Sequence, residues 1–403
     1  MTHDSLKNFL NKQKIEYEDT EELWSSISEK EHNNMLLYNY KDYLGVPRNN
    51  PVIMVCRGLV LTADGDVLCY PFNRFFNDFE AECLPIMWES AKMYEKVDGS
   101  LLNVWWAGTQ WEVTTRGSFY YNVQDTNFKQ LFLKLFSNFE GLNKNNTYMF
   151  ELVTRQNRIV THYDEEFVVL LGVRNNTTLK EYSNTDIDVL ASRLEILRPN
   201  KYDAKDITSC RLLFEGLKDD EEGFVVVDED FNRMKMKQES YFQLSKIVNL
   251  NDQAIYEHVI GVKPADSELI AKLPEVQNKI KRITSERLLV KELILKAFRP
   301  IKDLASRKEF AMAVVNSPYK SMLFSLYSGN GIVWNKIKYK VLQDLLPVQP
   351  FYVTMSSDEL KQKILEHSVG WEAEMVYTSF EEAQSRSITN MIVRDLSEIL
   401  NLK

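Results

Sequence analysis

Between Val52 and Lys237 apolar residues recur mostly at every second position, in short runs separated by turn dipeptides, and after Tyr241 that alternation stops. Period two marks strands with one covered face, and a period near 3.6 marks helices. The chain is therefore expected to be α+β, strand-rich first and helical afterwards. Val52 to Thr62 reads as a strand, Ala63-Asp64-Gly65-Asp66 as a hairpin turn and Val67 to Pro71 as the return strand. Leu101 to Trp106 and Trp111 to Arg116 form a second hairpin about Gly108, and Gly223 to Val227 with Arg233 to Lys237 a last one. Tyr148 to Thr154, Arg155 to Val160 and Phe167 to Val173 extend the sheet, with Asn127 to Phe139 as a helix against it. Further on, Asn251 or Asp252 caps a helix ending at Gly261, and Ser267 to Leu273, Val276 to Phe298, Lys308 to Val315, Tyr319 to Tyr327 and Ser357 to His367 are helical. At 403 residues the chain suits two domains, 1–245 and 246–403.

Composition narrows the function classes. Hydrophobic residues make up 44% of the chain and charged residues 27%, enough for a sizeable core. The longest apolar run, Phe167 to Val173, is too short to span a bilayer. The four cysteines and five histidines show no metal-ligand spacing, so free thiols in a cytoplasmic protein are expected. A net charge of −9 argues against non-specific coating of nucleic acid. It leaves room for a local basic segment, and Lys279 to Lys308 holds ten basic residues against three acids.

Tyr94-Glu95-Lys96-Val97-Asp98-Gly99-Ser100 contains Lys-x-Asp-Gly. Alone this is weak, because Asp-Gly is an ordinary turn dipeptide. Its chemical reading is a lysine that attacks the α-phosphate of a nucleotide. Such a lysine must lose its proton through neighbouring positive charge, a metal or burial. It also needs basic side chains for a triphosphate and oxygen ligands for magnesium. The first two-thirds of the chain offers these groups. Arg57 and Arg116 each precede a glycine. Glu151 interrupts the apolar run Met149 to Val153, where a carboxylate is costly unless paired or metal-bound. Glu222 precedes Gly223-Phe224-Val225, and Lys235 and Lys237 alternate with methionines, so both point to one face of their strand. Taken singly, each has a plainer reading as a surface charge, a structural ion pair or an edge-strand residue.

Taken in order, the set resembles the covalent nucleotidyltransferases, the ATP-dependent polynucleotide ligases and RNA capping enzymes. The shared elements are Lys96 to Gly99, Arg116-Gly117, Phe150-Glu151, Glu222-Gly223 and Lys235-Met236-Lys237. Ser100, Tyr38-Asn39-Tyr40, Cys56-Arg57-Gly58, Arg74-Phe75-Phe76-Asn77, Asn157-Arg158-Ile159-Val160 and Tyr241 narrow the resemblance to the phage T4 RNA ligase 1 family. Arg74 and Arg116 stand where that family often has lysine, which keeps the charge but removes any role as a proton carrier.

The resemblance implies a nucleotidyltransferase domain built on antiparallel sheets with flanking helices, followed by an all-helical C-terminal domain. It implies ATP and Mg2+ or Mn2+ as cofactors, and joining of 5′-phosphate and 3′-hydroxyl RNA ends through lysyl-AMP and an adenylylated RNA. Lys96 would be the nucleophile. Glu151 and Glu222 would hold the metal with Asp98 in support, and Asp266 would serve a second metal. Lys235 and Lys237 would orient the α-phosphate. Arg57, Arg74, Arg116 and Tyr38 would meet ribose or phosphates. Phe76 and Val225 would sandwich the adenine, with Glu95 also in the nucleotide pocket. A monomer acting on tRNA, with an end-healing kinase or phosphatase as partner, completes the expectation. The alternatives are a DNA ligase, a capping guanylyltransferase or an inactive RNA-binding relative.

Overall fold

A computed structural model describes residues 3–41, 45–120, 122–123, 126–203, 205–263, 270–271 and 273–346. The chain divides into two compact units, Met1–Ser245 and Lys246–Lys403.

The first unit is α+β. Its strands are β1 (Ile27–His32), β2 (Met35–Tyr40), β3 (Arg57–Thr62), β4 (Val67–Cys69), β5 (Phe76–Asn77), β6 (Lys92–Glu95), β7 (Ser100–Trp106), β8 (Trp111–Thr115), β9 (Asn122–Val123), β10 (Thr126–Asn127), β11 (Asn146–Val153), β12 (Phe167–Asn175), β13 (Lys201–Tyr202), β14 (Gly223–Val227) and β15 (Arg233–Lys237). Three larger sheets result, ordered β1-β2-β3-β4, β12-β11-β7-β8 and β13-β6-β14-β15-β5, beside the small β9–β10 pair. Pairing is antiparallel except between β15 and β5.

Each larger sheet covers one face with a helix. Helix Asp4–Lys12 presents Leu6, Phe9 and Leu10 to the first sheet. Helix Phe128–Leu135, capped by the Asn127 side chain, packs Leu131 and Phe132 against Phe150 and Leu170 of the second. Every residue of β11 is buried, which is why that strand reads as an apolar run and why Glu151 stands out in it. Burial at this scale stabilises by about 25 cal/mol per Å2 of apolar surface, so a lone carboxylate there must be held by something besides packing.

Two stretches differ from the periodicity. Asn50 caps a single helical turn, Pro51–Val55, so the expected strand starts only at Arg57. Asn-Pro is a helix-start signal that outweighs the β-branched run behind it. Residues 155–160 form a loop, where Asn157 accepts from the Thr154 amide at 2.7 Å and donates to the Leu152 carbonyl at 2.8 Å. Side-chain bonding to the backbone replaces the strand ladder there.

In the second unit the described elements are helical, among them Asp252–Val259, Pro274–Phe298, Arg307–Ala313, Lys320–Tyr327 and Tyr339–Asp344. Asn251 caps the first, its side chain accepting from the Ala254 amide. The expected helix Ser357 to His367 and most of Ser267 to Leu273 lie outside the described residues. No helix among the described residues is long and apolar enough to cross a membrane.

Candidate active site

Two strand registers bring the charged residues together. Antiparallel β6 and β14 pair Glu95 with Phe224, and the Lys96 amide donates to the Gly223 carbonyl at 2.8 Å. Lys96 thus lies beside the start of β14, next to Glu222. The β14–β15 register pairs Gly223 with Lys237 and Val225 with Lys235, so both lysines arrive on the same flank. Lys96 Nζ donates to Glu222 Oε2 at 2.5 Å, and Lys237 Nζ lies 2.7 Å from Glu222 Oε1. Gly99 closes the turn onto β11. A Cβ there would collide with the Leu152 carbonyl oxygen and come within 3.1 Å of Glu151 Cγ, so only glycine lets the motif approach that strand.

A cleft of about 950 Å3 opens here, lined by Glu95, Lys96, Glu151, Arg57, Arg116, Val225, Lys235 and Lys237 among others. It crosses the second sheet, taking Leu171 from β12, Glu151 from β11, Leu101 from β7 and Thr115 from β8. A second cavity of about 620 Å3 shares Arg57, Phe75, Arg116 and Lys235 with it and adds Lys41, Arg48 and Arg74. Against those cations stand Glu80 and Glu82, both paired with Arg48.

The electrostatics differ from the expected cage of cations. Burial disfavours the charged form of Lys96, but the Glu222 carboxylate bonded to it outweighs this and holds the ammonium above its ordinary value, with Glu151 adding to the pull where it is ionised. Glu222 is buried too, yet Lys96 and Lys237 keep it below the usual carboxylate range. Glu151 is pushed up to about 8 by burial, with Glu222 and Asp98 adding to the shift, and it makes no hydrogen bond to a described residue. Lys235 is the lysine that the site depresses, to about 8, through burial and the nearby charges of Lys96 and Arg57.

Several expected residues lie elsewhere. Tyr38 is fully buried under helix Asp4–Lys12, its ring 6.2 Å from that of His3, and it does not line the cleft. Alternation puts Leu36, Tyr38 and Tyr40 on one face, and only Tyr40, at the strand end, projects past the core. Tyr40 accepts from Arg116 Nη1 at 2.8 Å and lies under the Arg74 guanidinium at 4.1 Å. Phe76 is 2% exposed and also off the cleft, because it pairs with buried Met234. Its neighbour Phe75 lines the cleft instead, with Arg57 at 5.6 Å and Lys235 at 5.3 Å from its ring. Arg74 belongs to the second cavity. Asp98 does not face the cleft with free oxygens. It accepts from the Val160 and Thr161 amides at 2.9 and 2.8 Å and from the Tyr241 hydroxyl at 2.7 Å. Asp266 lies outside the described residues.

Beside the expected Arg57 stand polar groups given no site role from the sequence, Asn39, Asn103 and Gln156. Arg57 Nη1, Asn39 Oδ1, Gln156 Oε1 and both side-chain atoms of Asn103 are buried without a hydrogen-bond partner. Arg57, Asn39 and Gln156 line the cleft, and Asn103 lies beneath Gly58. Gly58 has φ of 90° and forms the bulge between Tyr38–Leu59 and Asn39–Arg57, with a Cβ position only 3.0 Å from Asn103 Nδ2. Buried polar groups are seldom left unpaired, so this cluster has bonding capacity open to ordered water or to a ligand.

Comparison with known proteins agrees with the order of the motifs. Residues 55–250 match the model of the RNA ligase family. Over that segment, just under half of the chain, it is similar to the RNA ligase family. An RNA ligase of Rhodothermus phage RM378 is 24% identical over 392 residues, covering 76% of this chain and 89% of that protein. A protein of Autographa californica nuclear polyhedrosis virus, named as a bifunctional polynucleotide kinase/RNA ligase, is 30% identical over 286 residues, covering 64% of this chain. The chain spans only 40% of the length of that viral protein. A solved archaeal ATP-dependent RNA ligase covers 66% of this chain and 76% of its own at 13% identity and a TM-score of 0.41, too distant to bear on the site. The family segment contains Lys96, Glu151, Glu222, Lys235 and Lys237, the groups that converge on the cleft.

Proposed function

We propose that the chain is an ATP-dependent RNA ligase that joins 5′-phosphate and 3′-hydroxyl RNA ends. The observation that carries this reading is the Lys96–Glu222–Lys237 cluster at the floor of a cleft that adjoins a cation-lined cavity. An amine enclosed by acids and phosphate-binding cations suits nucleotidyl transfer, which depends on alignment and charge neutralisation more than on covalent help from the protein.

The Lys96 ammonium first gives a proton to water in the cleft, and the freed amine attacks the α-phosphate of ATP. A nitrogen–phosphorus bond forms, and the bond to pyrophosphate breaks with its electron pair leaving on the pyrophosphate oxygen. Arg57, Arg74 and Arg116 take the β- and γ-phosphates, Lys235 and Lys237 the α-phosphate, and Val225 and Glu95 line the base end. AMP then passes from Lys96 to the RNA 5′-phosphate, and the 3′-hydroxyl displaces AMP to seal the strand. Asp98 acts by tying the Lys96 turn to Tyr241 and to the Val160 loop, as its three accepted bonds indicate.

The donor set fits one magnesium or manganese ion. Among the described residues there is no group of three or more His, Cys, Asp or Glu that could hold a metal. Magnesium commonly uses one or two carboxylates and completes its shell with substrate phosphates and water. Glu151, buried and unpaired, is the better ligand, because both oxygens of Glu222 already face lysine ammoniums. A divalent cation bound at Glu151 would supply positive charge to the α-phosphate and relieve the carboxylate pull on Lys96.

The second unit is proposed as a helical RNA-recognition domain. Helix Pro274–Phe298 carries much of the basic segment, and tRNA is the substrate proposed for it. An end-healing kinase or phosphatase would prepare the ends, in keeping with the viral relative whose name joins both activities. Incubation with α-labelled ATP and magnesium tests the core of the reading. Label should become attached to the protein, and Lys96→Ala should abolish it; wild-type protein that takes no label would end the proposal. Sealing of single-stranded RNA against its DNA equivalent and a nicked duplex then separates RNA ligase from DNA ligase, and labelling by GTP would indicate a capping enzyme.

A further inference from the structure

Where the cleft leaves the second sheet past Thr115, it is bounded by Arg116, Gly117, Ser118 and Lys30. This rim is built from two elements. On β1, Lys30 and His32 point to one side while Glu29 and Glu31 point to the other. The Lys30 ammonium donates to the Gly117 carbonyl at 2.7 Å, which fixes β1 to the chain after β8. Ser118 Oγ accepts from the Tyr120 amide at 3.2 Å, holding the turn that presents Tyr120. The Tyr120 ring is 50% exposed and meets His32 edge-on, with centroids 4.9 Å apart and Tyr120 Oη 2.7 Å from His32 Nε2. The half-exposed Tyr120 ring is thus held by its hydroxyl on the strand that also carries Lys30, leaving much of its surface open beside that cation.

We propose that this rim binds the single-stranded RNA that bears the 5′-phosphate, with a base stacked on Tyr120 and a phosphate near Lys30. The proposal rests on the ligase reading and deepens it by naming a substrate subsite. In-line transfer supplies the direction. Lys96 is the leaving group when AMP moves to RNA, so the entering 5′-phosphate must approach from the opposite side, where pyrophosphate departed. That place is the cation-lined cavity of Arg57, Arg74, Arg116 and Lys235. Arg116 lies in both the cavity and the cleft rim, so the nucleotides behind the 5′-phosphate lead past it toward Lys30 and Tyr120. Aromatic stacking with a neighbouring cation is how proteins hold single strands without reading their sequence.

A step-resolved assay on the full chain tests this. Tyr120→Ala should form lysyl-AMP from labelled ATP at the wild-type rate, yet its KM for a short 5′-phosphorylated RNA should rise about tenfold, as expected on removing one base-stacking ring. Tyr120→Phe keeps the ring and loses only its bond to His32, so its KM for the RNA should rise clearly less than that of Tyr120→Ala, by about twofold to threefold. Lys30→Gln, on the other element, should also raise the RNA KM and leave lysyl-AMP formation unchanged. An unaltered RNA KM in Tyr120→Ala and Lys30→Gln overturns the proposal, and so does equal loss of both steps, which would mark a structural role. Absence of lysyl-AMP in wild-type protein is a different failure, that of the ligase reading itself.

Discussion

The two sides of the cleft floor are built on opposite principles. Around Glu222 each charge has a partner: both carboxylate oxygens are held by ammoniums, and Asp98 behind them accepts three bonds. Around Arg57 several polar atoms are left over, with Asn39, Asn103 and Arg57 itself each lacking at least one bond. The paired side already defines the position of the lysine. The unpaired side carries bonding capacity that only a ligand or ordered water can use. A charge-paired cluster and an unsatisfied polar surface are thus placed on different sheets.

The largest test of that contrast removes the paired side. Glu222→Ala should lower lysyl-AMP formation by about a hundredfold to a thousandfold, the loss ordinarily seen when one charge-stabilising group leaves a preorganised site. Retained rate with only a lower pH optimum for labelling would instead mean that Glu222 does no more than hold a proton on Lys96. Next, Glu151→Gln should cost about a hundredfold in activity while making the fold more stable at high pH. The folded carboxyl keeps its proton up to about pH 8 against an ordinary value of 4.5. Folding therefore takes up a proton between those values, and wild-type stability falls as pH rises through that window. Glutamine removes that fall, so thermal unfolding at pH 8 and above should occur at a higher temperature in the variant.

A smaller effect concerns Lys235, whose ordinary value of 10.5 is depressed to about 8. Pyrophosphate binding by the free protein should weaken severalfold as pH rises through about 8, because the ammonium is lost there, and Lys235→Arg should flatten the profile. Pyrophosphate titrations at a series of pH values would show it. The smallest change is expected from Asn103→Leu. Replacing a buried amide with no partner should leave the unfolding temperature unchanged or raised, while the KM for ATP increases if the unpaired side is a ligand surface. A marked loss of stability would show that the amide already has a partner and would weaken the contrast between the two sides.

Much of the site was legible because its logic is local. Lys96-Val97-Asp98-Gly99 and Lys235-Met236-Lys237 announce themselves through turn chemistry and strand alternation, and Glu151 through its place in a run of apolar residues. The departures lie one or two residues away: Phe75 and not Phe76 lines the cleft, and Tyr40 and not Tyr38 meets Arg116. Alternation says that neighbours face apart but not which face is covered, and a strand slipped by one residue exchanges them. The strand expected from Val52 failed for another reason, since Asn50-Pro51 starts a helical turn that the β-branched run conceals.

Chain order and residue type by themselves determined that this protein has a strand-rich first unit, and which acids and bases its chemistry could use, because turn and alternation rules act over a few residues. Only the tertiary structure decided who meets whom. The registers of β6, β14 and β15 place Glu222 between two lysines separated from it by very different lengths of chain. That meeting reverses the sign of the Lys96 shift from the one expected, because a charge responds to what lies within a few ångströms in space, whatever its distance along the chain.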